Sequence, residues 1–226
     1  MSIQAQIDRI KSDVDSESAL IQQIAGALVG KAAGGGSAGI LPAGYACVPC
    51  VKFTGEQVVD TGVICNQDTK IRILFTRDNS DAQYLYGVVN SSNTASVTAY
   101  LSSSGSWRFG NKYASKNIAV SSEMVQCAIV DKTGVDLANS TGGISGVTDF
   151  ETIGTLLIGA CRLASGAVGA AQFVGKILSF EIWQGDALAL QLVPAVNASG
   201  AYGLFDTVAG EFHESITDVP LEGGTL

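Results

Sequence analysis

G-K-I-L-S-F-E-I-W-Q-G-D-A-L-A-L-Q-L-V-P (Gly175–Pro194) decides the fold. Leu178, Phe180 and Ile182 alternate with Ser179 and Glu181. After a two-residue interruption, Leu188, Leu190 and Leu192 alternate with Ala189 and Gln191. A period of two is the mark of a half-buried strand, and Gly185-Asp186 between two such runs marks a tight hairpin. Pro194 lacks an amide hydrogen and is read as the stop of the second strand.

The same rhythm recurs upstream. Ile71, Ile73 and Phe75 form one set, Tyr84, Tyr86 and Val88 a second, and Val97, Ala99 and Leu101 a third. Val125, Cys127 and Ile129 follow, then Leu156 with Ile158. Ten or more short strands separated by Gly, Ser and Asn turns, with no helical pattern among them, predict an antiparallel sandwich. Each sheet should show one face to the core and one to solvent.

The first thirty residues keep a different period. Ile7, Val14, Ile21 and Leu28 take heptad position a, and Ile3, Ile10, Glu17 and Ile24 position d. A lone helix in water cannot satisfy such a stripe, and β-branched residues at both positions favour three or four strands over two. Residues 3–29 are therefore expected to form a parallel coiled coil, a trimer, about 40 Å long at the helical rise. Ile3, Ile7, Ile10, Val14, Ile21, Ile24 and Leu28 are its oligomerisation residues. Glu17 is the polar exception, unfavourable in a buried seam although one such residue can fix register at some cost in stability, and Lys11 and Asp13 are the few flanking charges. Past Leu20 the apolar face broadens through Ala25, Ala27 and Val29, which suits a larger bundle or docking into another protein. Packing of an amphipathic helix on its own domain is the alternative. No run approaches the roughly 18 apolar residues of a membrane span, so no membrane partner is expected.

Residues 31–44, with Gly34-Gly35-Gly36-Ser37 at their centre, read as a flexible linker between the helix (1–30) and the sandwich (45–226). Thirteen basic residues against twenty-one acidic give a net charge of −8, which argues against a nucleic-acid partner. No basic segment followed by an apolar run opens the chain, so no signal peptide is expected. The N-x-S/T matches at Asn90, Asn139 and Asn197 are then loop asparagines. Five cysteines, an odd number, fit a reducing compartment. Cys65, Cys127 and Cys161 sit in apolar runs and read as core residues. Cys47-Val-Pro-Cys50 is either half a zinc site, a redox pair or two strand cysteines. Val51-Lys52-Phe53 continues a strand and favours the last.

Two segments resemble a known family. F-T-G-E-Q-V-V-D-T-G-V (Phe53–Val63) with T-K-I-R-I-L-F (Thr69–Phe75) is similar to the opening strands of concanavalin A-like, LamG-type jelly rolls in bacteriophage proteins. Phe173–Phe212 is similar to that family's C-terminal hairpin, with Gly175, Phe180, Pro194, Asn197, Gly200, Gly203, Asp206, Gly210 and Phe212 at matching positions. The likeness runs over residues 45–215, by strand rhythm alone in 90–150. It implies a virion structural protein: a head fibre, decoration, spike or tail appendage, made in the bacterial host cytoplasm. Capsid, neck or tail proteins would be partners through the N-terminal helix. The matched positions are architectural: glycines for turns or close strand approach, and Asp206 for a turn before Val208.

Catalysis is not expected. A retaining glycosidase pair needs carboxylates about 5 Å apart, yet the strand Lys176–Gln184 holds only Glu181. Glu211 and Glu214 flank His213, the single histidine, and no G-x-S-x-G elbow is present. Gly34–Gly39 lacks the Lys-Ser/Thr of a phosphate loop. No cofactor or metal is expected, although Asp78, Asn79 and Asp81 offer oxygens of the calcium-binding kind in what is also a plain turn sequence. Carbohydrate binding is the alternative function, in which the sandwich attaches the particle to host or mucosal glycans. Trp107 and Tyr113, in a Gly/Ser-rich region, are the candidate stacking rings; packing across a hairpin is the other reading of both.

Overall fold

The computed structural model describes residues 41–225 apart from 103–105, 116–120, 138–139 and 170–171. The expected coiled coil and its seven seam residues lie outside the described residues, as do Asn139 and most of the linker. Leu41–Leu226 forms one compact unit. Its packing begins at Leu41, which lies against Ala195 and Phe205, a few residues before the expected boundary at 45.

Seventeen strands are described. In chain order they are β1 (Tyr45–Cys47), β2 (Cys50–Thr54), β3 (Val59–Asn66), β4 (Thr69–Arg77), β5 (Gln83–Val89) and β6 (Ser96–Leu101). Next come β7 (Ser106–Gly110), β8 (Lys112–Ser115), β9 (Ser121–Asp131), β10 (Gly134–Leu137), β11 (Ser140–Gly143) and β12 (Glu151–Ile158). Last are β13 (Val174–Gln184), β14 (Ala187–Asn197), β15 (Tyr202–Asp206), β16 (Glu211–His213) and β17 (Glu222–Gly224). The larger sheet has the order β11-β10-β9-β4-β13-β14-β15-β16, with β1, β2 and β17 beside that path; the smaller is β3-β12-β5-β6-β7-β8. The two make an all-β antiparallel sandwich. Among the described residues no helix is long and apolar enough to cross a membrane.

One core joins the sheets. Ile71, Ile73 and Phe75 of β4 and Phe180 and Ile182 of β13 face Tyr86, Val97, Ala99, Trp107 and Phe109 of the smaller sheet, all fully buried. Tyr86 spans the gap, its ring centroid 5.8 Å from Phe180 and 6.2 Å from Trp107, both edge-on. Gly185 (φ +59°) makes the expected β13–β14 turn, with Gln184 opposite Ala187. A positive φ at the first central residue, and none at Asp186, is the II′ pattern that matches strand twist.

Three expectations about facing are corrected. In β9 the inward residues are Ala128 and Val130, whereas Val125, Cys127 and Ile129 take the outer face. Alternation locates a strand but does not say which phase is inside when both phases are apolar. In β13 a bulge beside β4 turns Ile177 inward in place of Leu178. In β5 a bulge sets Tyr84 and Tyr86 on opposite faces.

Pro194 does not end β14, which runs on to Asn197. Here β14 leaves β13 and gains β1: Leu192 pairs with Phe180, but Ala195 pairs with Cys47. β13 meanwhile takes β2 as its new neighbour, with Ile177 opposite Val51. At this fork Pro194 needs no ladder amide on the changing side, and its carbonyl accepts from Val48 N at 3.1 Å. Cys47-Val-Pro-Cys50 is the link that carries the chain across the fork. Both cysteines are strand residues, and burial pushes both thiols up, the opposite of a redox-active thiolate.

Candidate ligand-binding face

The outer face of β5–β8 carries a group of rings set by strand register. Tyr84 lies opposite Tyr100, and Tyr100 opposite Ser106. Two residues along, Thr98 lies opposite Arg108, and Arg108 opposite Tyr113. The other phase of these strands is the core set Val97, Ala99, Leu101, Trp107, Phe109 and Ala114, so alternation leaves this one outside.

Contacts tie the row together. The Tyr84 and Tyr100 ring centroids are 4.8 Å apart, tilted at 55°. The Arg108 guanidinium lies 4.9 Å from the Tyr113 ring centroid, a cation–π stack, and its Nη2 donates to the Thr94 carbonyl. Burial, with Cys161, Tyr100 and Tyr113 nearby, pushes the Tyr84 phenol up against the opposing pull of Arg108. It therefore stays a hydrogen-bond donor near neutral pH. Tyr113 is 62% exposed, Tyr84, Tyr100 and Arg108 are half-buried, and Thr98 is nearly covered.

The two candidate rings thus part company. Tyr113 stands on this face. Trp107, one residue from Arg108, points the other way and is fully buried against Tyr86, which is the packing alternative for that residue. Sequence reasoning missed Tyr84, Tyr100 and Arg108. The available signal was that Tyr100 and Arg108 fall in the phase opposite to the apolar residues of their own strands. Tyr84 gave none, because it shares a phase with Tyr86 until the bulge intervenes.

The remaining candidates are occupied or dispersed. Arg77 is 1% exposed and donates at 3.0 Å to the carbonyls of Ser102 and Asp81, which holds the 78–82 loop. Asn79 Oδ1 is taken by Gln83 at 2.8 Å. Among the described residues no three His, Cys, Asp or Glu side chains gather as a metal would require. Glu181 engages Arg72 and Gln191. His213 meets the Asp60 carbonyl at 3.0 Å through Nδ1, while its buried Nε2 has no partner. A cleft of about 160 Å³ lies over β9–β11, lined by Ile129, Asp131, Thr133, Asp136 and glycines. It is too small for an ordinary ligand pocket and contains no ring.

The residues matched by the family resemblance build the frame. A Cβ on Gly175 would lie 2.2 Å from the Thr76 carbonyl oxygen, and one on Gly203 2.6 Å from that of His213. Asp206 is buried, and its Oδ1 accepts from Gln191 N at 3.1 Å and Val208 N at 2.9 Å, the expected turn.

Comparison with protein-family profiles returns no match, and comparison with curated proteins returns none. One of the solved structures that the chain resembles is a native heptameric SAP-like pentraxin from Limulus polyphemus, at 13% identity and a TM-score of 0.45. The match covers 60% of this chain and 75% of that one. At that level it assigns no ligand or partner here.

Proposed function

We infer that the chain is a non-enzymatic virion structural protein, a trimeric spike, fibre or decoration. Its N-terminal helix assembles and anchors it, and its sandwich is displayed beyond a Gly-rich linker. The observation that carries this reading is the nature of the C-terminal motif, which resembles that of phage jelly rolls. Gly175, Gly203 and Asp206 each do architectural work, at close strand approaches and a turn, and none is poised for chemistry. The heptad stripe of Ile3 to Leu28 supplies the assembly element. The test is immunogold labelling of purified particles with antibody against the sandwich. Labelling at the particle surface supports the reading; a product confined to the host soluble fraction, with particles unlabelled, contradicts it.

A second reading is favoured by one observation, the tyrosine-and-arginine face of β5–β8. It makes the displayed sandwich a carbohydrate-binding adhesin. Rings stack on the apolar faces of pyranose sugars, and flanking hydroxyls and guanidinium satisfy sugar oxygens. Binding of the full chain to a glycan array supports it, and a blank array contradicts it.

A further inference from the structure

Building on the carbohydrate-binding reading, we propose that the outer face of β5–β8 is a site for a short acidic oligosaccharide. Tyr84, Tyr100 and Tyr113 supply the stacking surface, and Arg108 receives a sugar carboxylate.

Three features select this occupant. First, the face is long. From Tyr84 on β5 to Tyr113 on β8 there are three inter-strand spacings, about 14 Å, which suits several linked sugars better than one. Second, its chemistry is that of a sugar and not of a protein core. The side chains in the outward phase of β6 and β7 that reach solvent (Tyr100, Ser106, Arg108) carry a hydroxyl or a guanidinium, and the two buried ones, Ser96 and Thr98, carry hydroxyls. The exposed aliphatic side chains Ile64, Val125, Ile153, Val208 and Ile216 lie off these strands, while Leu163 and Val168 belong to a segment that runs beside β5, where Arg162 bridges Val88. Third, the charge lacks its complement. The ion pairs among the described residues use Lys52, Arg72, Lys132 and Arg162, so Arg108 has no carboxylate partner there. Its buried Nε is also without an acceptor. An unneutralised guanidinium, positioned by Tyr113 and the Thr94 carbonyl, favours a planar two-oxygen anion.

The test uses the full chain on an array of matched acidic and neutral oligosaccharides, sialyllactose beside lactose and oligogalacturonate beside oligogalactose, with affinities then measured by calorimetry. The acidic member of a pair is expected to bind about tenfold more tightly, a preference that shrinks with added salt. Tyr100→Ala and Tyr113→Ala should each weaken binding about tenfold. Arg108→Gln should bring the acidic-to-neutral ratio to about one while neutral binding survives. Trp183→Ala, a ring on the larger sheet over Lys70, serves as control and should change nothing. If glycans bind but the tyrosine variants bind equally well, this site is wrong and the carbohydrate reading stands. Equal affinity for both members of each pair overturns the role of Arg108. If no glycan binds the full chain, site and reading both fail.

Discussion

Tyr84 and Tyr86 are two residues apart on one strand, yet their rings stand on opposite faces of the sheet. Tyr84 meets Tyr100 outside at 4.8 Å, and Tyr86 meets Phe180 inside at 5.8 Å. The ladder with β6 slips between them, leaving Leu85 as the extra residue, itself fully buried. A bulge of this kind re-aims side chains without breaking a sheet. Leu85→Ala keeps the bulge and should cost about 2–5 kcal/mol by urea unfolding. Deleting Leu85 forces one tyrosine to the wrong face and should abolish cooperative unfolding. A deletion variant that unfolds like the parent would contradict this geometry.

Trp107 is the largest fully buried side chain in the core. Trp107→Ala should therefore lower stability by about 3–5 kcal/mol, read from the urea midpoint, and flatten the near-ultraviolet dichroism. Trp107→Phe should retain most of the stability and any ligand binding. Selective loss of glycan binding in a normally stable Trp107→Ala protein would show that the ring reaches ligand after all.

Gly175 lies where β4 and β13 approach too closely for a side chain, so Gly175→Ala must displace the Thr76 carbonyl or the Phe173 ring. The expected loss is about 1–3 kcal/mol. Gly210 differs: a Cβ there meets nothing within 4 Å, but φ is +76°. Gly210→Ala should cost about 1–2 kcal/mol from backbone strain alone, and Gly210→Asn less. Equal tolerance of alanine and asparagine at 210 would refute the strain account.

Burial pushes the Cys65 and Cys161 thiols from 9.0 up to about 12. Below about pH 9 both are protonated in native and unfolded chains alike. Above it the unfolded chain sheds protons that the native state keeps. Stability should then fall as pH rises from 9 towards 12, by about 1.4 kcal/mol per pH unit per thiol. Cys65→Ala removes one of these contributions, so its urea midpoint should decline less steeply between pH 9 and 10.5. Parallel declines in parent and variant would rule out the linkage.

Strand existence was legible because most strands put their apolar residues in one phase and polar ones in the other. The β13–β14 hairpin read correctly through Gly185, and Gly175, Gly203 and Asp206 do the jobs their positions implied. Facing failed where one residue is inserted, at Leu85 and beside Ile177, because a bulge leaves no mark on local composition. It failed in β9 because both phases are apolar. Pro194 misled because its tolerance depends on the fork between β13 and β14, a tertiary event. Of the two candidate rings Tyr113 stands on the outer face and Trp107 in the core, and Tyr84, Tyr100 and Arg108 became a group beside Tyr113 only once the register of four strands was known.

Assembly through residues 3–29 underlies the proposed display role, and multi-angle light scattering tests it most directly. The full chain is to be compared with a chain beginning at Leu41, which retains the whole compact sandwich. Three times the 23.2 kDa chain mass is expected for the full chain and a single folded copy for the truncation. A monomeric full chain would contradict assembly through the helix, and so would a truncation that still assembles as a trimer.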